Sequence, residues 1–130
     1  MGVLTAIAGG GALGGIARHG VSLAFPTRPS GIPWSTVVVN LGGSLLVGAV
    51  MTLIIERWPP TRYARPFAAV GFCGGFTTFS TLDTDAVLLS RDGRAVVAAV
   101  YVVATTIAGL AATYAGVGIG RLWPTERRHR

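Results

Sequence analysis

Hydrophobic residues are concentrated in four long stretches of this 130-residue chain, separated by short polar segments. About 20 mostly apolar residues suffice for a helix to cross the hydrocarbon core of a bilayer, and each stretch reaches that length. The separating segments FPTRPSGIP, ERWPPTRYARP and SRDGR are rich in proline or charge. The pattern predicts one all-α integral membrane domain with four transmembrane helices at about residues 3–24, 34–55, 67–90 and 95–120 and a polar tail at 121–130.

The third stretch contains a segment that is unusual for a membrane helix, GFCGGFTTFSTLDTD at residues 71–85. Gly74 and Gly75 weaken the helix near its middle, and the hydroxyl groups that follow can satisfy backbone groups set free by a break. A glycine kink made only for packing would not explain the hydroxyl run and two carboxylates. We therefore predict that the third helix is broken near the membrane midplane. Its half-helix ends would offer carbonyl groups to a small cation and N–H groups to an anion.

Composition supports a membrane protein. Hydrophobic residues make up 51% of the chain and charged residues 12%, about half of the roughly 25% that soluble domains carry. The net charge of +6 comes from eleven arginines, which flank the apolar stretches instead of lining one helix face, so we do not expect nucleic-acid binding. No nucleophile–base pair or catalytic metal cluster is evident, which argues against an enzyme. The single cysteine, Cys73, is expected to be a small apolar filler.

The arginine distribution predicts an orientation. Four spans place both termini and the 56–66 loop on one side of the membrane. That side carries seven arginines, and the other side carries three: Arg57, Arg62, Arg65, Arg121, Arg127, Arg128 and Arg130 against Arg28, Arg91 and Arg94. The positive-inside rule therefore predicts cytoplasmic termini.

Polar residues within predicted spans are candidate functional groups, because burying them in lipid is costly. Arg18 and His19, late in the first span, can either reach the headgroups or place positive charge at the mouth of a pathway. Asn40, in the second span, can either bond to a neighbouring helix or offer its two amide hydrogens to a partly dehydrated anion.

Two further sets of residues accompany the predicted break. Phe79 follows it and could present the positive edge of its ring to an anion, although an aromatic side chain in a span more often faces lipid or core. Leu82 would share the face of Phe79 on a regular helix. Tyr101, Thr105 and Gly109 recur every four residues in the fourth span, as one wall of a polar track or as a helix-packing stripe.

Glycines recur through the first, second and fourth spans, including two overlapping GxxxG patterns at residues 10–15. Small residues allow membrane helices to approach closely, and packing accounts for most of these glycines. Because four short spans leave little room for a private cavity, we expect an oligomer with any pathway at or beside the subunit interface.

The chain resembles the Fluc (CrcB) family of bacterial fluoride channels over nearly its whole length. The resemblance is carried by GGALGGIARHG, TVVVNLGGSLLVG and GFCGGFTTFSTL, followed by the spaced Tyr101 and Thr105. It implies four-helix subunits that form an antiparallel, dual-topology dimer in the bacterial inner membrane. It also implies passive export of cytoplasmic fluoride through two pathways, with a structural sodium ion at the dimer centre.

The resemblance also assigns residues. The sodium ion would be held by the backbone carbonyl groups of Gly74 and Thr77. The fluoride pathway would include Asn40, Phe79, Ser80, Thr81, Leu82, Tyr101 and Thr105. Arg18 matches the family's first-span arginine, and Asp85 lies where the family often has an acidic residue near a vestibule.

Two positions depart from the family pattern, since Leu82 and Gly109 stand where a phenylalanine and a serine are common. These changes remove one aromatic edge and one hydroxyl group. The strong arginine bias is also unexpected for a chain that must insert in both directions. We therefore hypothesise a heterodimer with a related four-span subunit of opposite orientation, with the antiparallel homodimer as the close alternative.

A rival interpretation is a small multidrug-type antiporter, which is also four-spanning and antiparallel. Such transporters use a glutamate within the first span, whereas the first acidic residue in this chain is Glu56. A third alternative, a membrane assembly factor that transports nothing, would leave the polar centre of the third span unexplained.

The orientation can be tested with a reporter tag at each terminus of the chain in cell membranes. We expect both tags to be accessible from the cytoplasmic side only, because the arginine bias fixes one topology. Equal labelling of the tags from both sides would contradict the prediction and favour dual insertion.

Overall fold

The computed structural model describes residues 2–26, 31–57 and 61–122, and all regular secondary structure within these ranges is helical. Helix α1 comprises Gly2–Ala24, and α2 comprises Trp34–Thr52 and continues as a π-helical segment, Leu53–Arg57. A second π-helical segment, Pro66–Cys73, leads into the short α3, Gly74–Phe76. Helices α4, Phe79–Arg91, and α5, Ala95–Leu122, complete the chain. Most of the predicted polar tail lies outside the described residues.

The third predicted helix is interrupted at two residues. Thr77 and Thr78 have extended backbone, with φ and ψ of −73° and 156° and of −148° and 119°. The break therefore comes after Gly74 and Gly75, both of which are helical. A break near the middle of the third helix is what the sequence predicted, and the two threonines form the break itself.

Glycines bring α1 against the first half of the broken helix. A Cβ atom on Gly14 would collide with the Phe72 carbonyl oxygen and lie 2.8 Å from the Phe76 nitrogen. A Cβ atom on Gly75 would collide with the carbonyl oxygen of Gly11. The two backbones are thus in direct contact, which is the packing that small residues permit between membrane helices.

The other half of the fold is formed by α2, α4 and α5. Helix α5 packs along α2, where Gly48 and Gly116 allow close approach, and α4 packs against α5. The tight turn between α4 and α5 uses Gly93 at a φ of +75°. Helix α2 also contacts α1 and the first half of the broken helix, so it joins the two halves of the fold.

The described surface is strongly apolar. Large hydrophobic side chains such as Ile16, Val96, Ile107 and Leu110 are exposed, and few large ones are buried. Helix Trp34–Glu56 and helix Ala95–Leu122 are long and apolar enough to cross a membrane, with mean hydropathies of 2.1 and 2.2. An all-helical chain with such a surface has the character of a membrane protein.

The α1 contact can be tested with two neighbouring glycines. Gly14→Ala should lower the free energy of unfolding in detergent by about 1–3 kcal/mol, because the methyl group has no space against the Phe72–Phe76 backbone. Gly15→Ala is the matched control, since its Cβ atom meets nothing within 4 Å. If denaturant titrations gave the same loss for both variants, the backbone contact would not be the cause.

Candidate functional site

The break in the third helix is held by one side chain of α2. The Asn40 amide nitrogen donates to the Thr78 carbonyl oxygen at 2.9 Å, and its oxygen accepts the Thr78 N–H at 2.9 Å. Asn40 therefore pairs with the extended backbone of Thr78 as a neighbouring β-strand would. The structure agrees with the interpretation that Asn40 bonds to a neighbouring helix, and one amide hydrogen remains for another acceptor.

This pairing changes the hydrogen bonding of the preceding turn. In an unbroken helix, the N–H groups of Thr78 and Thr81 would bond to the carbonyl oxygens of Gly74 and Thr77. Instead, the Thr78 N–H is donated to Asn40, and the Thr81 N–H is donated to the Thr78 hydroxyl oxygen at 3.2 Å. The two carbonyl groups that the family resemblance assigns to sodium have thus lost their regular helical donors.

The threonine hydroxyl groups satisfy other backbone groups at the break. Thr77 donates its N–H and its hydroxyl to the Cys73 carbonyl oxygen, each at 2.9 Å, and so closes the first half-helix. Thr78 caps α4, and its hydroxyl oxygen also lies 2.9 Å from that of Thr81 and 3.3 Å from that of Ser80. The prediction that hydroxyl groups would satisfy the freed backbone is confirmed at Thr78, which accepts the freed Thr81 N–H, whereas the Cys73 carbonyl keeps its regular helical donor.

A polar cavity of about 360 Å³ lies where α1, α2 and the start of α4 meet. It brings together the predicted residues Arg18, Ser80 and Thr81. Most of its remaining wall is also polar, and its lining is Gly15, Arg18, His19, Ser22, Ser35, Thr36, Val39, Thr78, Ser80 and Thr81. Asn40 is not part of this wall, since its side chain lies against Thr78. The cavity offers hydroxyl donors and one arginine, a combination suited to an anion.

A second polar group lies next to this cavity. One carboxylate oxygen of Asp85, Oδ2, accepts from the Thr36 hydroxyl at 2.7 Å and from the Tyr101 hydroxyl at 3.2 Å. Asp85 therefore joins α4 to both α2 and α5, and its carboxylate is compensated by two hydrogen bonds.

The remaining predicted site residues differ in their exposure. The Phe79 side chain is 78% exposed, whereas Leu82 is 5% exposed and packs with Leu89, Ala98 and Tyr101. Although the two residues are three positions apart on α4, their environments differ, because Leu82 lies on the side of α4 that packs against α5. The stripe of Tyr101, Thr105 and Gly109 is buried, as a helix-packing stripe would be.

Two residues at the site were missed by the sequence reasoning. Thr78 was placed at the middle of the span as part of a hydroxyl run and was not assigned as an N-cap, although a threonine directly before a helical segment is a typical N-cap residue. Thr36 was not considered, although it lies one helical turn before Asn40 and therefore on the same face of α2. Both signals were available in the sequence. The bonding of Asn40 to Thr78 could not be predicted from the sequence, because it depends on how the two helices pack against each other.

The described residues contain no cluster of three or more His, Cys, Asp or Glu side chains that could hold a metal ion. Cys73 is buried and free, in keeping with the expected filler role.

Comparison with known proteins identifies the family to which this chain belongs. Residues 5–117 match the family model described as CrcB-like protein, Camphor Resistance (CrcB). A protein named fluoride-specific ion channel FluC 2 from Nocardia farcinica is 41% identical over 98% of this chain and 91% of its own length. A protein named fluoride-specific ion channel FluC from Chlorobaculum tepidum is 40% identical over 90% of this chain and 93% of its own.

A longer relative, named fluoride-specific ion channel FluC 3, comes from Streptomyces avermitilis. The two sequences are 50% identical over 121 residues. These residues make up 93% of this chain and 59% of the longer relative. These relatives are named as ion channels, which are membrane transport proteins and not enzymes. The chain belongs to the CrcB-like family, as the sequence resemblance indicated.

The role of Asn40 can be tested by amide hydrogen exchange in lipid vesicles. Asn40→Ala should make the Thr78 N–H exchange about ten- to a hundredfold faster, because its acceptor is removed and the Thr78 carbonyl group also loses a donor. Thr106→Val is the control, since that exposed hydroxyl bonds only within its own helix. Unchanged protection of Thr78 in Asn40→Ala would contradict the assignment.

Proposed function

We infer that this chain forms a fluoride-selective ion channel that lets cytoplasmic fluoride leave the cell passively. The observation that carries this proposal is the polar cavity beside the break, where Arg18 and the hydroxyl groups of Ser80 and Thr81 line one space. The names of the relatives give the ion, and the cavity supplies groups that such an ion needs.

Fluoride is small and strongly hydrated, so a selective pathway has to replace much of its water with close donors. Hydroxyl groups can replace this water by donating hydrogen bonds to fluoride. They carry no positive charge, so they do not bind the ion too tightly for it to move on. Arg18 at the cavity raises the local concentration of anions. The exposed ring of Phe79, just beyond the break, can contribute its positive edge to the same pathway.

The functional unit that we propose is a dimer of four-span subunits with antiparallel orientation, in the bacterial inner membrane. Two features near the break support an additional subunit there. Phe79 is exposed beside a polar segment, and the space around Gly74 is open within 4 Å of where a Cβ atom would lie. A second subunit would cover both and remove the polar break from lipid.

A structural sodium ion is part of the same proposal. The carbonyl groups of Gly74 and Thr77 fit it, because both lack their regular helical donors and carbonyl oxygens are ligands for hard cations. Two carbonyl groups from each subunit would form the site. A bound sodium ion would supply positive charge near the pathway and would link the subunits.

A heterodimer with a related subunit is the second candidate for the functional unit. The seven-to-three arginine bias favours a single orientation, whereas an antiparallel homodimer needs the chain to insert both ways. Some species carry several members of the family, since Streptomyces avermitilis has proteins named fluoride-specific ion channel FluC 2 and FluC 3. A paralogue of opposite orientation could supply the aromatic edge and the hydroxyl group that Leu82 and Gly109 lack.

Fluoride efflux from loaded vesicles, followed with a fluoride electrode, tests the proposed function. We expect fast efflux with the wild type and at least a tenfold slower rate for Asn40→Ala and for Phe79→Ile, which remove the support of the break and the aromatic edge. Tyr114→Ile is the matched control for Phe79, since both side chains are 78% exposed.

The outcomes separate the candidates. Efflux from vesicles that contain only this chain favours the homodimer. Efflux that appears only when a paralogue is added favours the heterodimer. If vesicles with this chain, alone or with a paralogue, release fluoride no faster than empty vesicles, the channel proposal is contradicted.

A further inference from the structure

Thr36 and Asp85 form the link between the polar cavity and the protein interior. Thr36 is buried, and it lines the cavity together with Arg18 and Thr78. Its hydroxyl group lies 2.7 Å from Asp85 Oδ2, behind the cavity wall. The bond runs between α2 and α4, the two helices whose relative position fixes the break.

The direction of this hydrogen bond follows from the chemistry of the two groups. An ionised carboxylate has no hydrogen to donate, so both hydroxyl groups that meet Oδ2 must donate to it. A hydroxyl group has one hydrogen and two lone pairs. Once the Thr36 hydrogen is donated to Asp85, the oxygen of Thr36 has only lone pairs to offer to anything in the cavity.

We propose that Asp85 is a positioning residue that sets the hydrogen-bond polarity of the cavity wall by withdrawing the Thr36 hydroxyl hydrogen from the anion. This inference rests on the proposed fluoride function. Thr36 then offers no donor to fluoride. The hydroxyl groups of Ser80 and Thr81 both bond to the Thr78 hydroxyl, which has only one hydrogen to give, so at least one of these two residues donates to Thr78. The number of donors around the ion is limited, so fluoride is bound weakly enough to move on.

Asp85→Asn reverses this polarity, with little change in shape, when the amide nitrogen takes the Oδ2 position. The amide group has two hydrogens, and its nitrogen at the Oδ2 position can donate to the oxygens of Thr36 and Tyr101. The Thr36 hydroxyl hydrogen is then free to turn toward the cavity and donate to fluoride. A hydrogen bond to a charged group is typically strong enough to tighten binding by about tenfold.

The experiment measures the fluoride concentration for half-maximal flux in vesicles, for the wild type, Asp85→Asn, Thr36→Val and the double variant. Removing the negative charge of Asp85 also favours fluoride binding, because it removes electrostatic repulsion of the anion. That effect is independent of Thr36 and persists in the Thr36→Val background. We therefore expect Asp85→Asn to lower the half-saturating concentration about tenfold more in the wild-type background than in the Thr36→Val background. This double-mutant coupling is a readout that a merely structural role of Asp85 would not produce.

Thr36→Val gives an independent result if Asp85→Asn does not assemble. Because the wild-type hydroxyl hydrogen is not offered to the ion, we expect no rise in the half-saturating concentration. A five- to tenfold rise would show that Thr36 donates to fluoride and would overturn the inference, as would equal effects of Asp85→Asn in both backgrounds. Absence of fluoride flux through the wild type, alone and with a paralogue, would instead contradict the proposed function.

Discussion

The pairing of one asparagine side chain with one threonine backbone determines the rest of the site. Asn40 takes both hydrogen-bonding groups of Thr78 out of the helix, at 2.9 Å each. Unpaired backbone groups are very costly in lipid, so a helix cannot be broken there unless another group replaces the lost bonds. Asn40 provides that replacement from a neighbouring helix. The break is therefore a property of the packed chain and not of the third helix alone.

The consequences of the break lie on its two sides. On the preceding turn, the carbonyl groups of Gly74 and Thr77 are left without their helical donors and become potential cation ligands. On the following turn, Thr78 caps α4, and Ser80 and Thr81 are presented to the polar cavity with Arg18. One interruption thus leaves carbonyl groups without helical donors on one side and presents hydroxyl groups to the cavity on the other, along a single segment of chain.

The packing of α1 places this arrangement at a fixed position. Backbone contact between Gly14 and the Phe72–Phe76 turn leaves little freedom for the first half of the broken helix to slide. The same helix carries Arg18 to the cavity wall, one turn beyond that contact. The position of the positive charge is therefore set by the glycine contact, which explains why small residues and a charged residue occur together in this helix.

The helix bounds and the existence of the break followed from the sequence, because hydropathy and the glycine–hydroxyl run are local signals. The position of the break could not be placed as well, since the effect of Thr77 and Thr78 depends on Asn40, 38 positions earlier in the chain. The burial of Leu82 and the bonds of Asp85 to Thr36 and Tyr101 likewise depend on how α4 packs against its neighbours. Residue spacing within one helix does not contain that information.

Asn40 is the only residue of its type in the chain and the only side-chain amide, which makes the central interaction directly measurable. Solid-state NMR of the protein in lipid vesicles, with ¹⁵N-labelled asparagine and a ¹³C-labelled threonine carbonyl carbon, reports the contact between the Asn40 side-chain nitrogen and Thr78. A strong dipolar contact between these two atoms is the expected result. No such contact, together with helical chemical shifts through residues 77 and 78, would contradict the account.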